Sequence, residues 1–223
     1  MSEPGPVFVA GTLAAPPEAG RPGLLCDRDG TIIEDRPAYV RAETDLALLP
    51  GAVPALLRAQ RAGLLVAMVS NQSAVGRGLL THAEMIRLHL ALTHRLAAAG
   101  VEIAGSFLCP HRPEAGCPCR KPAPGLVTAA LDRFALDPGR SFVVGDAVRD
   151  MAAARDAGVR GLLVGTGHPH SAEELRAQAG LFAGTQIVPD LPAAVEVAVA
   201  ALAGAGRERT SSAQATAAAR KSA

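Results

Sequence analysis

The chain has 223 residues, 49% of them hydrophobic, and a formal net charge of +1 from 22 basic and 21 acidic side chains. That is enough apolar material for one domain with a sizeable core, and a near-neutral balance without a basic cluster excludes an electrostatic nucleic-acid footprint. No apolar run reaches the roughly 18 residues that would span a bilayer, and the start MSEPGPVFVAGTLAAPPEAG lacks the basic head and sustained apolar stretch of a signal peptide, so a cytoplasmic protein with no membrane partner is expected.

Residues 1–20 are rich in Pro, Gly and Ala and are expected to be flexible; the folded domain is expected over 21–203. Within it, short aliphatic runs predict strands over Gly23–Asp27, Leu64–Ser70, Gly105–Cys109, Ser141–Asp146, Gly161–Gly165 and Thr185–Val188. Between them, helical patterns cover Val53–Ala62, Thr81–Ala99, Gly125–Phe134, Ala147–Ala157, Ala172–Ala179 and Pro192–Ala203, the second opened by a T-x-x-E capping box at Thr81 and Glu84. His82, His89 and His94 fall on that helix and read as solvated or partly buried residues without a role. The last stretch, 204–223, has no large apolar residue and is expected to be a disordered tail. Near-continuous apolar strands alternating with helices predict an α/β fold, a three-layer Rossmann-like sandwich around a mainly parallel sheet.

In such a sheet, ligands bind beyond the carboxyl ends of the strands. Three predicted strands end in polar groups: the first at Asp27, followed by Asp29; the second at Ser70-Asn71-Gln72; the fourth at Gly145-Asp146. Asp27 and Asp29 stand two positions apart directly behind an apolar run. Carboxylates crowded at the end of a buried strand are costly unless a cation or a reaction uses them.

A second cluster is contiguous. CPHRPEAGCPC, 109–119, supplies the thiols of Cys109, Cys117 and Cys119 and the imidazole of His111, the four ligands of a closed tetrahedral zinc site. With no open coordination position, the zinc would be structural. Cys26 lies inside a predicted strand and reads as a small buried apolar residue.

The segments DRDGT (27–31), SNQSAVGRG (70–78), CPHRPEAGCPCRKPAPG (109–125) and VGDAVRDM (144–151), in this order, resemble the haloacid dehalogenase-like phosphatases, and within them the heptose bisphosphate and histidinol phosphatase group. The resemblance covers roughly residues 23–200. It implies Asp27 as nucleophile through a phosphoaspartate, and Asp29 as the acid for the leaving oxygen and then the base for water. It implies Mg²⁺ held by the carboxylates of Asp27 and Asp146 and the backbone carbonyl of Asp29, with Asp150 orienting this set. Ser70, with the following Asn71 and Gln72, and Lys121 fall at phosphate-holding positions, and Arg120 at a substrate-recognising one. Gly30 would allow a sharp turn and Thr31 would bond locally.

Only about forty residues separate Asp29 from Ser70 and about fifty separate Ser70 from Lys121, which leaves no room for an inserted cap domain. The segment 33–40 and the zinc loop would fence the site, suiting a small phosphorylated sugar. Asp35 and Tyr39 lie where relatives contact sugar, although Ile33 replaces an Asn common among them. The expected protein is a monomeric, Mg²⁺-dependent, zinc-stabilised phosphomonoesterase. The expected substrate is D-glycero-D-manno-heptose 1,7-bisphosphate, losing its 7-phosphate on the way to a nucleotide-activated heptose. Arg36, Arg77 and Arg112 are possible partners for a second phosphate. The alternatives are a histidinol-phosphate phosphatase and a non-catalytic zinc-stabilised phosphate-binding module. The GTG at 165–167, followed by HPH, reads as a loop at the site entrance.

Overall fold

A computed structural model describes residues 5–12, 18–167 and 185–204; the predicted helix Ala172–Ala179, the HPH at 168–170 and the predicted tail after Gly204 lie outside the described residues. Seven strands form one sheet: β1 Val7–Ala10, β2 Gly23–Cys26, β3 Leu65–Asn71, β4 Gly105–Cys109, β5 Phe142–Gly145, β6 Arg160–Val164 and β7 Gln186–Val188. Their order is β1-β4-β3-β2-β5-β6-β7, and every pair is parallel except β1 with β4. The helices are α1 Ala52–Arg61, the single turn α2 Ser73–Gly76, α3 His82–Ala98, α4 Gly125–Phe134, α5 Val148–Asp156 and α6 over 191–204.

The period of two along the central strands decides which helices pack where. Leu24 and Cys26 of β2, with Val66 and Met68 of β3, face α1, the inner stripe of α3 and α6; Leu25, Ala67 and Val69 face α4 and α5. Both faces are covered, which is why β2, β3 and β5 read as unbroken apolar runs. Cys26 is fully buried, and burial pushes its thiol up to about 12, so it packs as an apolar residue. Between β2 and α1 the chain forms a 3₁₀ turn at Glu43–Asp45, the isolated bridges Asp29–Ile33 and Ile33–Leu48, and loops, so no cap domain is inserted at this connection.

Among the strands and helices, the structure differs from expectation at two places. Residues 7–10, inside the segment expected to be flexible, form the antiparallel edge strand β1, paired Val7 with Leu108 through Ala10 with Gly105. The reason is long-range packing: Val9 is buried with Met85 and Leu108, and the partly exposed Phe8 ring lies 5.1 Å from Phe107 and 6.5 Å, edge-on, from Phe134, which outweighs the Pro- and Gly-rich neighbourhood. On α3, His89 is fully buried while His82 and His94 are exposed, because His89 lies one turn from both Met85 and Leu92 on the inward stripe. The predicted capping box is present: the Glu84 amide donates to Thr81 Oγ1 at 3.1 Å and the Thr81 amide to Glu84 Oε2 at 2.7 Å.

Candidate active site

Because β3, β2 and β5 are neighbours at the centre of the sheet, their carboxyl ends bring Ser70, Asp27 and Asp146 to one corner. Asp27 is buried, and its Oδ1 accepts from the Ser70 hydroxyl and the Arg28 amide, each at 2.7 Å. Its Oδ2 lies 3.0 Å from the ammonium of Lys121. Burial alone would push this carboxyl up. The ammonium of Lys121, then the Ser70 hydroxyl, the Arg149 charge and the Arg28 amide outweigh it and hold Asp27 below the usual carboxylate range.

Lys121 has no exposed side-chain surface. Its Nζ donates to the Val69 carbonyl at 2.8 Å and pairs with Asp27 and, at 2.6 Å, with Asp150 Oδ1. Burial opposes the charge, but the two carboxylates more than offset it and raise its pKa. Asn71 fixes the backbone of this lysine from both sides, donating to its carbonyl at 3.0 Å and accepting from its amide at 3.1 Å. Asp150 caps the first turn of α5 by accepting from the Ala147 amide at 3.0 Å while it pairs with Lys121.

Asp29 is held separately. Its carboxylate receives Arg28 Nη2 at 3.0 Å, Arg28 Nε at 3.2 Å and Gln72 Nε2 at 3.0 Å, and Gln72 also reaches Ser70 Oγ at 3.1 Å. The turn after it uses Gly30 at φ 71°, where an added Cβ would strike the Asp146 carboxylate, as would one at Gly167. The 165–167 loop therefore lies against the Asp146 side of the corner instead of at its entrance, and Thr166 Oγ1 donates to the Gly30 carbonyl at 2.5 Å. Thr31 does not make the local bond expected of it; its buried hydroxyl has no hydrogen-bond partner.

Carboxylate oxygens of Asp27, Asp146 and Asp150 lie within 4.8 Å of one another, a hard-oxygen set of the kind Mg²⁺ takes. The ammonium on Asp150 already neutralises that carboxylate, so a cation fits best between Asp27 and Asp146. The loop cysteines form a second set. Cys109 Sγ is 3.4 Å from His111 Nδ1 and 3.6 Å from Cys117 Sγ; Cys119 Sγ is 3.4 Å from both Cys117 Sγ and His111 Nδ1. Bond lengths of about 2.3 Å to sulfur and 2.0 Å to nitrogen give tetrahedral edges of about 3.5–3.8 Å, within a few tenths of an ångström of these separations, so the four side chains are spaced for a zinc ion. Arg120 Nη1 donates to the His111 carbonyl at 3.0 Å, which ties the loop to the cleft.

The corner opens into a cleft of about 370 Å³ lined by Asp27, Asp29, Asp35, Tyr39, Asn71, Gln72 and Arg120, so every substrate-facing residue expected from the sequence except the buried Ser70 and Lys121 borders it. Arg36 and Arg77 also line it; Arg112 does not. Two residues were missed in the sequence: Arg28, the buried partner of Asp29, and Arg149, which lines the cleft from the first turn of α5. The second was legible in spacing, since a residue three positions after Asp146 comes round to the same side of a helix start.

A family model described as HAD-hydrolase-like matches residues 118–194. The D-glycero-beta-D-manno-heptose-1,7-bisphosphate 7-phosphatase of Bordetella bronchiseptica is 36% identical over 173 residues, 78% of this chain and 95% of that protein. The crystal structure of the D,D-heptose 1,7-bisphosphate phosphatase of that organism, complexed with magnesium and phosphate, superposes with a TM-score of 0.71 over 78% of this chain and 96% of that one, at 36% identity. The corresponding phosphatase of Burkholderia thailandensis gives a TM-score of 0.58 at 31% identity, over 78% of this chain and 96% of that one.

Proposed function

The chain belongs to the haloacid dehalogenase-like phosphatases, and we propose that it removes the 7-phosphate of D-glycero-D-manno-heptose 1,7-bisphosphate in nucleotide-activated heptose biosynthesis. The observation that carries this reading is the cleft itself, with a seated carboxylate at its floor and Arg36, Arg77, Arg120 and Arg149 around it, enough positive charge for a substrate with two phosphates. The product would keep its 1-phosphate, the group a nucleotidyl transfer consumes.

Asp27 is the nucleophile. Its lowered pKa keeps it ionised at neutral pH, and Ser70 and the Arg28 amide hold Oδ1, leaving the carboxylate aimed at phosphorus. An Asp27 oxygen bonds to phosphorus as the phosphorus–oxygen ester bond to the sugar breaks, and Asp29 gives a proton to the leaving oxygen. Asp29 then takes a proton from water as the water oxygen attacks the phosphoaspartate, releasing inorganic phosphate and restoring Asp27. Arg28 and Gln72 fix the orientation of Asp29 for both steps. Asp27, Asp146 and the Asp29 carbonyl would hold Mg²⁺, which supplies neutralisation of the phosphoryl charge. Cys109, His111, Cys117 and Cys119 would hold a structural zinc, and through the Arg120–His111 bond the loop sets Arg120 over the cleft.

Asp35 and the aromatic ring of Tyr39 on the cleft wall suit a cationic substrate and so the histidinol phosphate alternative. Side-by-side kcat/KM values with Mg²⁺ for both anomers of the heptose bisphosphate and for histidinol phosphate decide between them. Preference for a heptose anomer is expected; preference for histidinol phosphate would overturn the assignment.

A further inference from the structure

Among the described residues, Lys121, Arg149 and the neighbouring Arg28 act on Asp27, and the first and last of these cations are already engaged. An ammonium has three protons, and those of Lys121 face the Val69 carbonyl, Asp27 and Asp150, so it meets a phosphoryl oxygen only by giving up or sharing one of these partners. The guanidinium of Arg28 is taken up by Asp29 through Nε and Nη2. Elsewhere on the cleft wall, Arg120 gives one donor to the His111 carbonyl, Arg36 pairs with Glu34 at 2.9 Å while its Nε has no partner, and Arg77 adds a further charge, but none of these three acts on Asp27 as Arg149 does.

Arg149 stands apart. It lines the cleft beside Asp27, and its Nε is buried with no hydrogen-bond partner. Burial opposes its charge, yet the fields of Asp150, Asp27, Asp146 and Asp35 outweigh burial and keep the guanidinium protonated. A buried donor without an acceptor is costly unless something supplies the acceptor, and a charged fork matches the oxygens of a phosphoryl group.

We infer that Arg149 is a further catalytic residue, donating hydrogen bonds to the nonbridging oxygens of the phosphoryl group while that group lies on Asp27. This rests on the phosphatase reading above. Lys121 sets the charge and position of Asp27, and Arg149 adds donors for the charge that develops on the transferred group.

The test separates the transferred phosphoryl group from the rest of the substrate by using probes without a sugar. In Mg²⁺ buffer, inorganic phosphate is titrated calorimetrically into wild type, Arg149→Gln and Arg149→Lys, and kcat and KM are measured with acetyl phosphate. Arg149→Gln is expected to weaken phosphate by about tenfold and lower kcat by about a hundredfold with KM little changed, and Arg149→Lys to recover about a tenth of the lost rate or more. If Arg149 only neutralised the carboxylates, its removal would tighten Mg²⁺ and leave phosphate affinity alone. Phosphate affinity and kcat both within about twofold of wild type in Arg149→Gln would therefore overturn the inference. Weakened phosphate binding in a protein whose wild type hydrolyses nothing would support the contact and sink the phosphatase reading, so the two fail separately.

Discussion

At the ends of β2, β3 and β5 the chain answers its own negative charge: Asp27 and Asp150 share Lys121, Asp29 takes Arg28, and Arg149 stands in the field of Asp146. In the loop from Cys109 to Cys119 it does not. Three thiols and an imidazole converge within hydrogen-bonding distance, and burial pushes the Cys109 and Cys119 thiols up, so these two hold their protons unless a cation takes their place. One site is pre-assembled by protein charges and offers a cation a place; the other is a set of ligands whose arrangement a metal completes. Chemistry and stability should therefore separate at the first site and move together at the second.

The largest effect tests that separation. Asp27→Asn keeps the shape of the side chain and an acceptor for Ser70 and the Arg28 amide, and Asp150 remains as counter-ion to Lys121. Turnover of phosphomonoesters should fall by at least about 10³-fold while thermal stability drops by no more than about 2 kcal/mol. Hydrolysis at the wild-type rate would remove Asp27 as nucleophile; unfolding would break the contrast between the sites.

Next in size is the zinc loop. Cys117→Ser, or chelation of the wild type, should cost on the order of 3 kcal/mol, roughly 10 °C in Tm, because the loop loses the ion that orders it. Phosphate affinity should fall in step, since Arg120 is bonded to the His111 carbonyl and Asn71 grips Lys121 two residues beyond Cys119. Elemental analysis should find one zinc per chain in protein purified without chelator. A stable, fully active Cys117→Ser variant would show that the loop holds itself.

The two sites also differ in how far the sequence discloses them. All four loop ligands fall within eleven consecutive residues, so their spacing alone predicts the cluster that the structure forms. The corner draws on four segments, and only the order of β3, β2 and β5 in the sheet makes them neighbours. Its acids were legible as polar residues at strand ends, but their partners were not. Arg28 is separated from its role by nothing in the sequence except which way its side chain turns, and Thr31, which should bond locally, is left without a partner by the tight turn through Gly30. Strand β1 was hidden for a related reason: Val9 packs with Met85 and Leu108, and Phe8 lies beside Phe107 and Phe134, all distant in sequence.

His89 is a third case, a buried titratable group with neither a metal nor an ion pair to settle it. Its two ring nitrogens have no hydrogen-bond partner, and burial, then the charge of Arg28, lowers its pKa to about 3. In the unfolded chain it titrates near its ordinary 6.5, so between these values the unfolded state binds the extra proton. Stability from this group is present above pH 6.5 and is lost as pH falls toward 3, at up to about 1.4 kcal/mol per pH unit. His89→Leu, of similar size and apolar, should flatten that acid limb in denaturant melts at pH 7 and pH 5. An unchanged slope would mean that the imidazole is already protonated or solvated in the native state.

The smallest effect concerns another contiguous motif, the capping box at the start of α3, which like the zinc loop needs only neighbouring residues but binds no ion. Thr81 Oγ1 satisfies the Glu84 amide, one of the four donors that a helix start leaves open, while Glu84 returns a bond to the Thr81 amide. Thr81→Ala removes the first bond, together with the one the Thr81 hydroxyl donates to Glu84 Oε2 at 2.8 Å, and leaves the backbone amide bond. At an exposed helix end water replaces part of what is lost, so the cost should be about 1 kcal/mol, roughly 2–4 °C in Tm for a domain of this size. Neither site touches Thr81, so kcat/KM and zinc content should not move. A loss of activity larger than the loss of stability would mean that α3, through His89 and its neighbour Arg28, helps hold Asp29, and would join the helix to the corner instead of leaving it as support.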